Sequence, residues 1–208
     1  MKPYIVGIAG GSASGKTSFL RDLKEYISTD LMTIVSQDNY YHPKEMQLRD
    51  ENGEINFDLP TSINREQFHS DLVSLIENKS VSKKEYTFNN KEAEPQLITL
   101  SPAPVIIMEG LFIFHYEEIR NLLDLRVFLD VREDIKLQRR IKRDAVERGY
   151  CEETVRYQWD NHVMPSFKAY LRPYRDDANI IITNNYTYDK GLLVLANHLK
   201  MMLQEGAF

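Results

Sequence analysis

The apolar positions of this chain gather in short continuous runs. Five of them are rich in β-branched residues: YIVGIA at 4–9, LMTIVS at 31–36, PVIIME at 104–109, RVFLDV at 126–131 and NIIIT at 179–183. Runs of this length suit strands buried on both faces, as in a parallel sheet. Between them the spacing turns helical. Phe19, Leu20, Leu23, Tyr26 and Ile27 form one apolar stripe, and further helices are predicted over 64–78, 115–123, 133–147, 151–169 and 188–204. Strands alternating with helices predict an α/β fold: a doubly wound parallel sheet of about five strands flanked by helices, in a single domain over 1–208. Segment 80–103 breaks the rhythm. It is too polar for a core helix and has strand formers at 86–88 and 97–100, which predicts a β-hairpin projecting from the sheet.

Between the first strand and the first helix lies GGSASGKT, comprising Gly10, Gly11, Ser12, Ala13, Ser14, Gly15, Lys16 and Thr17. It matches the phosphate-binding loop G-x-x-x-x-G-K-[ST] in the strand–loop–helix setting that motif requires. Glycines let backbone N–H groups turn onto phosphate oxygens, and the helix N-terminus adds its positive end. Lys16 is expected at the β- and γ-phosphates, and the Thr17 hydroxyl at Mg²⁺. Two acids follow predicted strands, Asp38 in SQDNYY and Glu109 in IIMEG. At the carboxyl ends of strands in an open sheet they are candidates to hold Mg²⁺ or to take a proton from an attacking hydroxyl. Each alone is equally well read as a helix cap or a surface turn.

The basic segment KLQRRIKRDAVERG, 136–149, places Arg140 and Arg143 on one helical face, with Arg140–Asp144 and Asp144–Arg148 as i,i+4 ion pairs. Alone it resembles a solvated, salt-bridged helix. Beside a phosphate loop it reads as a lid of mobile cations over a triphosphate, with Arg148-Gly149 as its hinge.

Composition narrows the field. A net charge of −5 offers no electrostatic case for nucleic acid, and the single Cys151 cannot form an internal disulfide. No apolar run approaches the length of a membrane span, and the N-terminus runs straight into a strand, so a soluble cytoplasmic protein is expected. The five histidines show no metal-ligand spacing.

With these pieces placed, the sequence resembles the uridine kinase (uridine–cytidine kinase) family of P-loop kinases. The likeness runs over nearly the whole chain through GGSASGKT, SQDNYY, INFDLP, IIMEGLF, RRIKRDAVERG, Gln158 and DDANIIITN. It implies a P-loop kinase fold with a hairpin over the substrate site and a helical lid at 136–150. The implied reaction moves the ATP γ-phosphate to the 5′-hydroxyl of uridine or cytidine, with Mg²⁺, in pyrimidine salvage. Position by position, Asp38 is similar to the family's catalytic base, and Glu109 to a second carboxylate near the metal. Asp58 resembles the residue holding the ribose hydroxyls, Tyr41 and Tyr86 the substrate-side aromatics, and Arg140 an arginine on the ribose. Arg143 and Arg148 fall on the phosphate side, and Gln158 is similar to a polar substrate contact. A homo-oligomer such as a tetramer, and feedback inhibition by pyrimidine triphosphates, are what the resemblance implies.

The hairpin departs from that pattern. Lys91 stands where the family has a base-reading histidine, Ala93 where it has an arginine, and Tyr150 replaces an arginine beyond the lid. This leaves open a kinase of another small hydroxyl acceptor, such as a different nucleoside or a vitamin precursor. A nucleotide-binding regulator without catalysis predicts loss of Asp38, Thr17 or Glu109, and all three are present. A GTPase would need an N-K-x-D-like run near a late strand, and none occurs.

Overall fold

In the computed structural model, which describes residues 2–87 and 94–206, the apolar runs do become strands. β1 (Tyr4–Gly10) turns into α1 (Lys16–Leu23), and β2 (Met32–Ser36) follows. A helical turn at Gln37–Tyr40 and an irregular stretch lead to α2 (Arg65–Ile76), whose N-terminus is capped by the Asn64 side chain accepting from the Gln67 N–H at 3.0 Å. Then come β3 (Val81–Lys84), β4 (Leu97–Leu100), β5 (Val105–Gly110), α3 (Glu117–Arg120) and β6 (Leu125–Asp130). The chain closes with α4 (Glu133–Glu147), α5 (Glu152–Gln158), α6 (Met164–Ser166), β7 (Ile180–Thr183) and α7 (Asp189–Glu205).

The sheet is parallel with strand order β2-β5-β1-β6-β7, and β3 pairs with β4 as a separate antiparallel hairpin. Alternation along each strand feeds two cores. Ile5, Ile106, Met108 and Phe128 face α2 and the α5–α6 helix, where Phe68, Leu72, Trp159 and Met164 are buried. Val6, Ile8, Ile107, Val127 and Leu129 face α1 and α7 through Phe19, Leu23, Leu195 and Leu199. A fully buried side chain of this size contributes about 1.5–3 kcal/mol, so the sheet is stabilised from both faces. Among the described residues, no helix is long and apolar enough to cross a membrane.

Three expectations are corrected. The first hairpin strand is Val81–Lys84, ahead of the strand formers that begin at Tyr86. Glu85 still donates to the Gln96 carbonyl, but the Tyr86 N–H leaves the ladder for the Asn39 side chain at 3.1 Å. The helix expected over 115–123 shrinks to Glu117–Arg120, because Phe112, Ile113, Phe114 and Tyr116 are all buried in the turn ahead of it and no single stripe could bury them together. The helix expected over 151–169 reaches Leu171, with α5 and α6 joined and extended by two widened π turns, Trp159–Val163 and Phe167–Leu171.

Candidate active site

The strand register sets the site. β5 lies between β1 and β2, so Glu109 is flanked by Ile8 on one side and by Ser36 on the other. The loop that leaves β1 therefore opens beside the carboxyl ends of β2 and β5. Within it Ala13 (φ 61) and Gly15 (φ 95) take left-handed conformations, and the Ser14 N–H between them donates to the Gly11 carbonyl at 3.1 Å, which closes the loop into a tight turn. Only glycine fits at 15, where a Cβ would also sit 2.5 Å from Asn184 Nδ2. That amide donates to the Ser14 carbonyl at 2.9 Å and ties the loop to the segment after β7. Lys16 Nζ donates to the Gly10 carbonyl at 2.9 Å, folded across the loop it is expected to serve. Thr17 is exposed in the first turn of α1.

Asp38 sits on the turn after β2. Ser36 Oγ accepts from the Asp38 N–H at 3.4 Å and donates to Glu109 Oε1 at 2.5 Å, so one serine orders both acids. Gln37 braces the turn from behind, its Oε1 accepting from the Phe112 N–H at 3.0 Å. Burial pushes the Glu109 carboxyl up to about 7, with the Asp38 charge adding to the rise and Lys16 and Ser36 opposing it. Burial also raises Asp38, against Lys16, Arg148 and Arg143. The Lys16 ammonium is lowered by burial, while both carboxylates pull it back up. A hydroxyl and two carboxylates beside a phosphate loop suit Mg²⁺, a hard cation that keeps waters and phosphate oxygens as ligands. A buried and a half-buried carboxylate held together against their tendency to protonate are also the environment a dication relieves. Asp38 and Glu109 therefore fit that ion, and Thr17, in the first turn of α1, is the candidate hydroxyl ligand beside them.

The acceptor-side candidates adjoin these groups. Asp58 Oδ1 is 4.0 Å from Arg140 Nη1, and Arg140 also donates to Ser12 Oγ at 3.0 Å and to Gln158 Oε1 at 3.1 Å. Tyr41 packs against Tyr86 with ring centroids 5.3 Å apart, and Phe57 meets Tyr41 edge-on at 6.0 Å. Burial and the charges of Asp38 and Asp58 hold the Tyr41 hydroxyl well above its usual range, so it stays protonated. Lys91 and Ala93 lie outside the described residues.

The basic helix differs from a wholly mobile lid. Lys136, Arg140 and Asp144, four residues apart along α4, are all buried. Asp144 is the hub. It lies 3.2 Å from Arg140, 2.8 Å from Arg143 and 3.6 Å from Arg148. In the packed molecule this charged stripe is the inner face of α4, because the phosphate loop and Gln158 supply polar partners there.

Four contributors escaped sequence reasoning. Ser36 and Asn39 flank Asp38, and their proximity to it was the available signal. Phe57, beside Asp58, completes an aromatic wall. Lys136 sits with Nζ 3.7 Å from the Phe167 ring centroid, in a cleft of about 240 Å³ also lined by Asp130, Arg132, Arg175 and Asn185. Nothing local separates this lysine from its solvated neighbours; only the fold brings it under Gly11.

A family model described as "Phosphoribulokinase / Uridine kinase family" matches residues 5–189. The chain belongs to that family. It is an ATP-dependent kinase. A uridine kinase of Borrelia duttonii (strain Ly) is 35% identical over 206 residues, covering 98% of this chain and 97% of its own. One from Leuconostoc citreum (strain KM20) is 33% identical over 208 residues, covering 99% of each. Among solved structures, phosphoribulokinase from Rhodobacter spheroides superposes with a TM-score of 0.66 at 16% identity, over 88% of this chain and 70% of that one. D-glycerate 3-kinase from Cryptococcus neoformans gives 0.56 at 18%, over 80% and 78%. These two likenesses carry the fold alone.

Proposed function

We propose that the protein transfers the γ-phosphate of ATP to the 5′-hydroxyl of uridine or cytidine. The observation that carries this reading is the adjacency of two sets of groups. Lys16, Asp38 and Glu109 lie together at the phosphate loop, and Asp38 is within electrostatic reach of Asp58, which faces Arg140 and acts in turn on Tyr41 of the Tyr41–Tyr86 aromatic pair. The uridine kinase relatives, aligned over nearly the full chain, support the choice of acceptor.

The chemistry follows from those positions. Asp58 can accept from both ribose hydroxyls, and Gln158 and Arg140 complete a polar floor. Tyr41, Tyr86 and Phe57 offer the aromatic surface a base needs. Asp38 takes the proton of the 5′-hydroxyl as its oxygen bonds the γ-phosphorus, and the bond to the β-phosphate oxygen breaks to release ADP. Lys16, Arg143 and Arg148 offset the charge on the phosphoryl oxygens. Mg²⁺, held by Thr17, Asp38 and Glu109 directly or through water, would neutralise the phosphates when bound. On this reading the product is a nucleoside monophosphate, and the reaction belongs to salvage of free pyrimidine nucleosides.

The test is ADP release from ATP across a panel of nucleosides and other small alcohols. Uridine and cytidine should lead the panel, and Asp38→Asn should lower kcat by about 10²–10⁴-fold while leaving the fold intact. A non-nucleoside alcohol outperforming both would overturn the acceptor, and normal turnover by Asp38→Asn would overturn the assigned base.

A further inference from the structure

Residues 47–58 leave the body of the protein as a small excursion that returns with Phe57 and Asp58. Its stem is one antiparallel bridge, Arg49 with Ile55. Its tip is organised around a single carboxylate. Asp50 Oδ1 accepts from the backbone N–H groups of Asn52 and Glu54, both at 2.9 Å. Oδ2 accepts from the Tyr157 hydroxyl at 2.6 Å and lies 2.7 Å from His162 Nε2. Asn52 closes the ring, donating its side-chain amide to the same Tyr157 hydroxyl at 2.6 Å. An exposed loop tip with no apolar anchor ordinarily stays mobile, because nothing offsets the entropy of ordering it. Here the carboxylate sits in a ring of donors, and the His162 side chain is only 2% exposed.

The opposing helix is shaped for this grip. Tyr157 and His162 are five residues apart, and an α-helix turns about 100° per residue, so on a regular helix they would diverge by about 140°. The π turn Trp159–Val163, closed by the Met164 N–H onto the Trp159 carbonyl, brings His162 round to the Tyr157 side. Asn161 donates its side-chain amide to the Tyr157 carbonyl at 2.8 Å, where the regular ladder is interrupted. The two rings meet edge to face with centroids 5.9 Å apart. Such insertions are rare in helices and concentrate at functional sites. Gln158, next to Tyr157, is the residue that holds Arg140.

We propose that Asp50 is a positioning residue of the acceptor site: gripped by Tyr157 and His162, it holds the 47–58 loop where Asp58 faces Arg140. A short chain of bonds carries the effect. The Asp58 N–H donates to Asn56 Oδ1 at 2.9 Å, and the Asn56 N–H donates to the Leu48 carbonyl at 2.9 Å, two residues from Asp50. The clamp thus ties both sides of the acceptor pocket, the Asp58 loop and the Gln158 helix, to one carboxylate.

The proposal rests on the kinase reading above, and its test separates the two. Amide hydrogen exchange on the full chain without substrates comes first. Asp50→Ala should cut protection at the Asn56 and Asp58 amides by about tenfold or more, as expected for loss of hydrogen bonds to a charged group. Unchanged protection there overturns the clamp whatever the enzyme phosphorylates. Steady-state kinetics come second, with the best acceptor from the panel. Asp50→Ala and Tyr157→Phe should raise the acceptor KM by about tenfold and leave the ATP KM within about twofold. A lowered melting temperature with both KM values unchanged, or equal rises in both, assigns Asp50 a purely structural role and overturns the proposal. Failure of uridine and cytidine as acceptors, with the KM split intact for another alcohol, sinks the acceptor assignment and leaves the clamp standing.

Discussion

Replacing Asp144 with alanine should cost the protein about 3 kcal/mol of stability, and the reason lies in which arginine is left behind. Asp144 is fully buried against three guanidinium groups. The Arg143 and Arg148 side chains are each 31% exposed and can turn to water, so their share is within about 1 kcal/mol. Arg140 is only 6% exposed and cannot. Without Asp144 it keeps two neutral acceptors, Ser12 and Gln158, and a carboxylate at 4.0 Å. Removing one partner of a buried ion pair costs about 3–5 kcal/mol. The Arg140 Nε to Asp144 Oδ2 contact of 3.2 Å is Coulombic rather than an aligned hydrogen bond, which places the expectation at the lower end. In urea, with a slope of about 2–3 kcal/mol per M for a domain of this size, the midpoint should fall by about 1–1.5 M. The pair Arg140→Met with Asp144→Leu should recover most of that stability, because it removes both members of the buried pair, while turnover is lost with Arg140. A single variant within about 1 kcal/mol of wild type, or a double variant no more stable than the single, would refute the reasoning.

Three other outcomes follow from particular contacts. Gly110→Ala places a Cβ 2.4 Å from the Gln37 Cβ, so overpacking of about 1–3 kcal/mol should appear in denaturation, with a fall in kcat as the Asp38 turn shifts; an unchanged midpoint counts against the packing. Ser36→Ala removes the donor to Glu109 and the acceptor for the Asp38 N–H, and should lower kcat by about 10- to 100-fold with little change in melting temperature; full activity would remove Ser36 from the site. Burial holds the Lys83 ammonium down at about 8, with the Asp71 charge opposing. The folded state therefore gives up this proton before the unfolded chain does, so the group penalises folding below about pH 8, and stability recovers between there and the ordinary value near 10.5, by up to about 3 kcal/mol. Unfolding at pH 7.5 and 10 should show this rise in wild type and its loss in Lys83→Met; parallel pH profiles would refute it.

Much of the site was legible because its chemistry is local. GGSASGKT specifies a strand, a turn and a helix start within eight residues, and the acids at 38 and 109 follow recognisable strands. What resisted reading was burial of charge. The residues at 136, 140 and 144 have the spacing of a solvated helix face, and no local signal says that Ser12 and Gln158 wait beneath them. The hairpin strand was misplaced for a similar reason. Tyr86 has strand propensity, but its N–H is claimed by Asn39, 47 residues away, and a specific long-range bond overrides a weak local preference.

The sequence by itself determined the class of sheet, the phosphate loop and the family, since all three rest on short-range spacing and on ordered motifs along the chain. Only the tertiary structure decided which face of α4 turns inward, that Ser36 serves both carboxylates, and that a carboxylate at 50 meets a tyrosine and a histidine more than a hundred residues later. Those contacts depend on strand register and on one widened helical turn. Both are fixed by how the whole chain packs, which no window of neighbouring residues contains.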